Sequence, residues 1–211
     1  MNLIFGAAGH AKEIEWLLNL RNDTGVVDLR VDRFVVEDQS RLNNYLGLPT
    51  ITESEVLELA SPFSAMIAIG YPSAREKVYR KFSKPTTNWP CLIHPSVVYD
   101  MRGERVRLGE GTIIFPSSTL TTNVQIGKHV HINVGCSISH DVLIEDFCTI
   151  SPGVHIAGGV RLGERVFIGI GAVIIESVSV CANAIVGAGA VVVSDIIEPG
   201  TYVGIPAKKI K

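Results

Sequence analysis

At 211 residues, 46% hydrophobic and 19% charged, the chain carries enough apolar material for a sizeable core, which excludes a disordered protein. A formal net charge of −2 with no long run of Lys or Arg argues against a nucleic-acid partner, and no apolar run reaches the ~18 residues of a membrane span. Met1 to Leu20 lack the basic start, apolar block and cleavage site of a signal peptide, and Cys91, Cys136, Cys148 and Cys181 form no C-x-x-C pair. A soluble, cytoplasmic protein with reduced thiols and no zinc ribbon is expected.

Asn2-Leu3-Ile4-Phe5 reads as a buried strand, Gly6-Ala7-Ala8-Gly9-His10 as a tight turn and Ala11 to Leu20 as an amphipathic helix. A second strand is predicted at Arg33 to Val36, ending in Glu37-Asp38, and a third at Ala65 to Ile69, ending in Gly70-Tyr71-Pro72. Thr52 with Glu55 and Ser73 with Glu76 have capping-box spacing, which predicts helices over 53–60 and 74–83. The result is a small parallel, Rossmann-like α/β domain over residues 1–90. In such sheets a ligand sits beyond the carboxyl ends of the strands. The G-x-x-G turn is short of a full G-x-G-x-x-G, so by itself it is either a bare strand-to-helix turn or a phosphate cradle.

From Leu108 a strict period of six begins. Leu108, Ile114, Leu120 and every sixth residue to Val192 are branched aliphatics, and the positions four further on, Thr112 to Ile196, are small or aliphatic without exception. A 3.6-residue helix cannot hold a six-residue stripe on one face, whereas a coil of three short strands can, so residues 91–211 are predicted to form a β-solenoid of 18 residues per turn. The aliphatic place points inward and the small place fits a corner, which makes Cys136 and Cys148 core filler. Residues 93–107 look like an imperfect first coil disturbed by Arg102-Gly103-Glu104-Arg105. Only ten charged residues fall in 108–197, against thirty elsewhere, and a surface so poor in charge suits burial against another subunit.

The hexapeptide pattern resembles the left-handed parallel β-helix of hexapeptide-repeat acyltransferases. With the opening Gly-Ala-Ala-Gly-His-Ala-Lys and the ending Gly204-Ile205-Pro206-Ala207-Lys208, nearly the whole chain resembles bacterial sugar acyltransferases of the sialic acid O-acetyltransferase type. That group includes enzymes acetylating the 4-amino group of nucleotide-linked deoxysugars. The resemblance implies a homotrimer with active sites between subunits, acetyl-CoA as cosubstrate, no metal, and a nucleotide-linked amino sugar as acceptor in surface glycan (lipopolysaccharide O-antigen) synthesis.

Among six histidines, His140 stands out because Asp141 follows it at a corner of the repeat. An acceptor amine must lose a proton to attack a thioester; a histidine is the usual base, and a carboxylate beside it orients it and raises its basicity. Eighteen residues on, Gly158 leaves no side chain past that base, so a slot is expected where a thioester lies against backbone amides. The alternative is that Ala157-Gly158-Gly159 only makes the corner. His129, His131 and His155 are read as solvated turn residues or, less simply, functional ones, and His94 as structural.

The resemblance implies further roles. Ser139-His140-Asp141 matches the family's His-Glu element with Asp141 in place of glutamate, Asn133 matches an asparagine holding the acceptor, and Gly158 matches the backbone contact to the acetyl group. Thr149 stands where several relatives have a second histidine. Ala8, Gly9, His10, Glu37 and Asp38 match phosphate and base contacts, with Gly70 at the same sheet edge. The coenzyme is expected to run past Ile170 and Ala188 to Lys208. O-acetylation of a sugar or sialic acid hydroxyl competes with N-acetylation. A zinc carbonic anhydrase on the same prism, which needs three converging histidines, and a non-catalytic scaffold are the other readings.

Overall fold

The computed structural model describes residues 1–23, 30–38 and 44–211. They form two compact units, one of residues 1–70 and 74–92, the other of residues 71–73 and 93–211.

In the first unit the strands are β1 (Asn2–Phe5), β2 (Arg33–Val36), β3 (Asn44–Tyr45), β4 (Leu48–Thr52), β5 (Phe63–Ile67) and β6 (Thr87–Asn88), in sheet order β3-β4-β2-β1-β5-β6. All neighbours are parallel except β3 and β4. The first two predicted strands are where expected; the third starts two residues earlier. β4 was not foreseen, because Pro49 breaks its pattern. Pro49 pairs only on the β3 side, while the ladder to β2 starts at Thr50, so the missing N–H is not needed there.

Helix α1 (Gly9–Asp23) buries Ala11, Ile14, Leu17 and Leu18 at helical spacing. α2 (Glu53–Leu57) has the expected reciprocal Thr52–Glu55 cap but ends three residues short of 60. Ser73, expected to cap the third helix, falls inside it. α3 (Pro72–Phe82) starts at Pro72, which suits a first helical position since its absent N–H has no intrahelical partner there; Glu76 instead pairs with Arg80 at 2.7 Å. Phe5 packs on Phe82 and Trp89, with ring centroids 4.6 and 6.1 Å apart.

The second unit is a left-handed parallel β-helix with three sheets of eight, six and five strands. Residue i pairs with i+18 from Val106↔Val124 to Ile174↔Val192. Of the aliphatic places, Ile114 to Val192 are at most 4% exposed, and every small place from Thr112 to Ile196 is at most 5% exposed. The polar ones satisfy themselves on the next coil: Thr112 Oγ1 donates to Gly127 O at 2.8 Å and Ser118 Oγ to Asn133 O at 2.8 Å. One left-handed residue per hexapeptide, at 111 and every sixth position to 189, turns each corner. Gly, Asn, Asp and Ser hold most of these places, as φ > 0 favours.

The two ends of the repeat depart from 18. Tyr99 pairs with Leu120 while Val106 pairs with Val124, so the polar run near Arg102 is a three-residue insertion. At the other end Val186 pairs with Tyr202 and Val180 with Ile196. The last coil is two residues short, and Ile196, expected in the small corner place, takes the aliphatic place above Val180.

Candidate active site

His140 follows the strand Ser137–Ile138 and precedes Asp141, the left-handed residue of its corner at φ 61°. Its Nδ1 lies 2.8 Å from Asp141 Oδ2, with the two side chains 64% and 55% exposed. A carboxylate only accepts, so the shared proton sits on Nδ1 and Nε2 is left as the basic nitrogen. The other carboxylate oxygen, Oδ1, accepts from Asn123 Nδ2. Hydrogen bonds from Asn123 first and His140 second hold the Asp141 carboxyl below the usual carboxylate range. Asn123 was overlooked in the sequence, although it stands one 18-residue coil before Asp141.

Gly158 does stack against His140, but not around an open slot. A Cβ at Gly158 would fall 2.6 Å from His140 Cε1 and 2.7 Å from Nε2, so the space is filled by the imidazole itself. Glycine is required because any side chain would displace the base. The amides either side of Gly158 join the coil ladder, Ala157 to Ile174 O and Gly159 to His140 O, whereas none is formed by Gly158 N–H among the described residues.

Asn133 is not beside His140. It ends the strand His131–Ile132 on the preceding face, with N and Nδ2 both donating to Ile150 O at 2.9 Å. Six residues per face at about 3.3 Å each put it a prism side away. Thr149, 3% exposed, is on that same face, paired with His131. Ile170 is 61% exposed and Ala188 is exposed; with Val134 they line the corner that ends this face, Ala188 one coil after Ile170 and Val134 two coils before it. One chain therefore carries two separate groups, His140–Asp141–Gly158 on one edge and Asn133, Thr149, Ile170 and Ala188 on and beside another. Lys208 is exposed on the closing two-stranded tail, paired with Val203.

The other histidines depart from expectation in part. His129 and His131 are fully buried rather than solvated, and His129 stacks on Phe147 at 5.6 Å. His155 lies exposed on a strand with Nδ1 2.7 Å from Ser137 Oγ. His94 accepts from Ser96 N at 3.0 Å, a turn role. Cys136 is buried and its thiol is pushed up to about 11 by burial, which removes it as a nucleophile at neutral pH. No group of three metal-ligating side chains occurs among the described residues.

The N-terminal unit holds a cavity of about 580 Å³ at the carboxyl ends of β1 and β2, lined by Gly6, Ala7, Ala8, Glu37, Asp38 and Glu53 among others. Gly6 has φ +105° and a Cβ there would sit 3.2 Å from Ala68 O, so only glycine fits. Gly9 begins α1 beyond the cavity-lining Ala7 and Ala8. There the helix amides carry partial positive charge suited to phosphate. Tyr45 OH donates to Ala8 O at 2.7 Å and fixes this turn. His10, by contrast, does not line the cavity: it pairs with Glu13 at 2.7 Å, and burial pushes its imidazole down. Gly70 does not line it either. Its carbonyl accepts from the fully buried Arg75 Nη1 at 3.1 Å, with Ile69 O at 2.7 Å. Tyr45, Glu53 and Arg75 carried no signal in the sequence.

Residues 3–82 match the family described as the PglD N-terminal domain. A GDP-perosamine N-acetyltransferase of Escherichia coli O157:H7 is 32% identical over 158 residues, 72% of this chain and 69% of that protein. Among solved structures, a GDP-perosamine N-acetyltransferase variant from Caulobacter crescentus in complex with CoA and GDP-perosamine superposes with a TM-score of 0.86 at 31% identity, covering 100% of this chain and 96% of that one. The acetyltransferase domain of PglB from Neisseria gonorrhoeae in complex with acetyl coenzyme A gives a TM-score of 0.84 at 28% identity, covering 99% and 98%.

Proposed function

We propose, from the premise that this chain belongs to the family of hexapeptide-repeat N-acetyltransferases with a PglD N-terminal domain, that it transfers acetyl from acetyl-CoA to the amino group of a nucleotide-linked amino-deoxysugar. The observation that carries the reading is the His140 corner: Nδ1 is held by Asp141, and Nε2 lies over Gly158, which has no side chain. Nε2 takes a proton as the acceptor nitrogen attacks the thioester carbonyl, and the imidazolium returns one to the departing CoA thiolate. The free Gly158 amide suits the oxygen of the tetrahedral intermediate.

The N-terminal cavity supports a nucleotide site. Glu37 and Asp38 follow β2, where an acidic side chain accepts from ribose hydroxyls or base N–H groups, and the turn at Ala8-Gly9 faces the phosphates. Asn133 for the acceptor, and Thr149, Ile170, Ala188 and Lys208 for the coenzyme, lie away from His140 in one chain. They serve the reaction when a second copy sets its edge beside the His140 edge, which favours a homotrimer. The exposed Val134, Ile170, Ile175 and Val193, each at least 39% accessible, suit such contacts. A cytoplasmic place in surface-glycan assembly follows from the chemistry of the two substrates.

Purified protein with acetyl-CoA and matched 4-amino and 4-hydroxy nucleotide sugars, read by thiol release, tests the reading. CoA release with the amine alone supports it; release with the hydroxyl alone moves it to O-acetylation, and release with neither overturns both. A monomeric mass by light scattering at micromolar concentration overturns the trimer.

A further inference from the structure

Asp141 offers two carboxylate oxygens, and the imidazole uses one. Oδ2 faces His140 Nδ1 at 2.8 Å, while Oδ1 accepts from Asn123 Nδ2 on the preceding coil. The two residues are successive left-handed members of one corner column, at φ 56° and 61°, so the coil spacing of about 4.8 Å brings their short side chains into register. The turn alone does not call for an asparagine. Gly159, the next member of the column at φ +71°, turns the same corner with no side chain at all.

The coil carrying Asn123 is itself fastened. Thr122 Oγ1 donates to Asp100 Oδ2 at 2.7 Å, and Arg102 Nε and Nη2 grip the same carboxylate at 2.9 and 3.0 Å. Asp141 N donates to Thr122 O at 3.2 Å. The three-residue insertion of the first coil thus supplies a clamp under the residue next to Asn123. With more than half of its side chain exposed, Asp141 has little packing to fix its rotamer, and the Asn123 amide is what remains to fix it.

We propose that Asn123 is a positioning residue for acetyl transfer: by occupying Asp141 Oδ1 it turns Oδ2 to His140 Nδ1 and keeps the proton off the Nε2 that must act as base. The proposal rests on reading His140 as the general base. Its chemistry is that of a third group orienting a base, with an amide donor fixing the carboxylate that fixes the imidazole.

The test uses Asn123→Gly, which keeps the left-handed turn without strain, and Asn123→Asp, which sets a second acceptor against Asp141. Expected are a fall in kcat of roughly 10-fold for Asn123→Gly and more for Asn123→Asp, with KM for both substrates within about twofold. In an Asp141→Asn background Asn123→Gly should add little. Nitrogen-15 NMR of labelled histidine reads the tautomer without turnover: His140 should be Nδ1-protonated in the parent and mixed in Asn123→Gly. An active parent whose variant keeps both kcat and tautomer overturns the proposal. A tautomer shift in a protein that acetylates no nucleotide amino sugar supports the positioning and overturns the reaction instead.

Discussion

In the prism a residue's neighbour follows from its number, since adding 18 to Ile138 gives Ile156, and adding 18 again gives Ile174. In the α/β unit no such arithmetic exists: Phe5 packs on Phe82 and Trp89, 77 and 84 positions away. The prism is built from nearest-neighbour stacking of nearly identical coils, the α/β unit from long-range packing that each side chain settles separately. Chemistry divides along the same line. The acid–base group is assembled from consecutive coils, whereas the N-terminal cavity is lined from five separate segments of chain.

The largest effect expected is that of His140→Ala, which should lower turnover by roughly 10²-fold or more, the range for loss of a general base. The His140 side chain is 64% exposed and stacks on no core residue, so the thermal midpoint should stay within a few degrees. Near-normal turnover at neutral pH would remove the base from this corner.

Ile156→Ala probes the stacking itself. Its side chain is 1% exposed between Ile138 and Ile174, and truncation should destabilise by about 3 kcal/mol, within the usual 2–5 for a large-to-small core change. Denaturant unfolding measures it. A loss below about 1 kcal/mol would mean that the coils adjust to fill the space, and that the prism is less rigid than its fixed register implies.

Gly158→Ala comes next. Gly158 is not among the positive-φ glycines, so the added methyl meets the His140 ring rather than a strained backbone. We expect kcat to fall by roughly 10-fold or more with the fold intact by circular dichroism. Unchanged kcat would show that the ring moves aside and still works. A loss of acetyl-CoA affinity alone, measured calorimetrically, would restore the open slot that the sequence suggested.

These contrasts explain what could be read from the sequence. The period of six located the core, the corners, the core cysteines and the His140–Gly158 stack, because position in a solenoid is a sum. The same sum would have found Asn123, had it been carried one coil back from Asp141. It does not bring Asn133 beside His140, since seven residues carry the chain past a corner onto another face, and it misled at Ile196, where the last coil is two residues short. In the α/β unit, local signals found β1, β2 and the Thr52 cap. They did not find β4, whose Pro49 hides it, or Arg75, a cation buried because it accepts a structural task, holding the carbonyls of Ile69 and Gly70. Gly9, His10 and Gly70 lie near the right turn in sequence, but the cavity wall is made by Ala7, Ala8, Glu37, Asp38 and Glu53.

Glu37→Ala and Asp38→Ala sharpen the comparison from the other side. Both residues line the N-terminal cavity and belong to a unit that holds no part of the His140 group, so each should raise KM for the nucleotide sugar several-fold, on the order of 5-fold, with kcat and the acetyl-CoA KM nearly unchanged. A fall in kcat at constant KM would place them in the chemistry.

The smallest effect belongs to Asp100, in the insertion that breaks the first coil. Arg102 and Thr122 hold its carboxyl well below the usual carboxylate range. A carboxyl whose folded pKa is depressed stabilises the fold above its unfolded pKa of about 3.9, and that contribution is lost as pH falls toward the folded value. Asp100→Asn cannot titrate, so it should have a slightly lower thermal midpoint at pH 7 and lose less of it between pH 5 and pH 3 than the parent. Arg102 is largely exposed, at 80%, so water and salt screen the pair and the difference should shrink further in high salt. Equal slopes for parent and variant across that acid window would show that the insertion closes the corner by backbone geometry alone. The Asp100–Thr122 contact would then contribute nothing to holding the coil that carries Asn123.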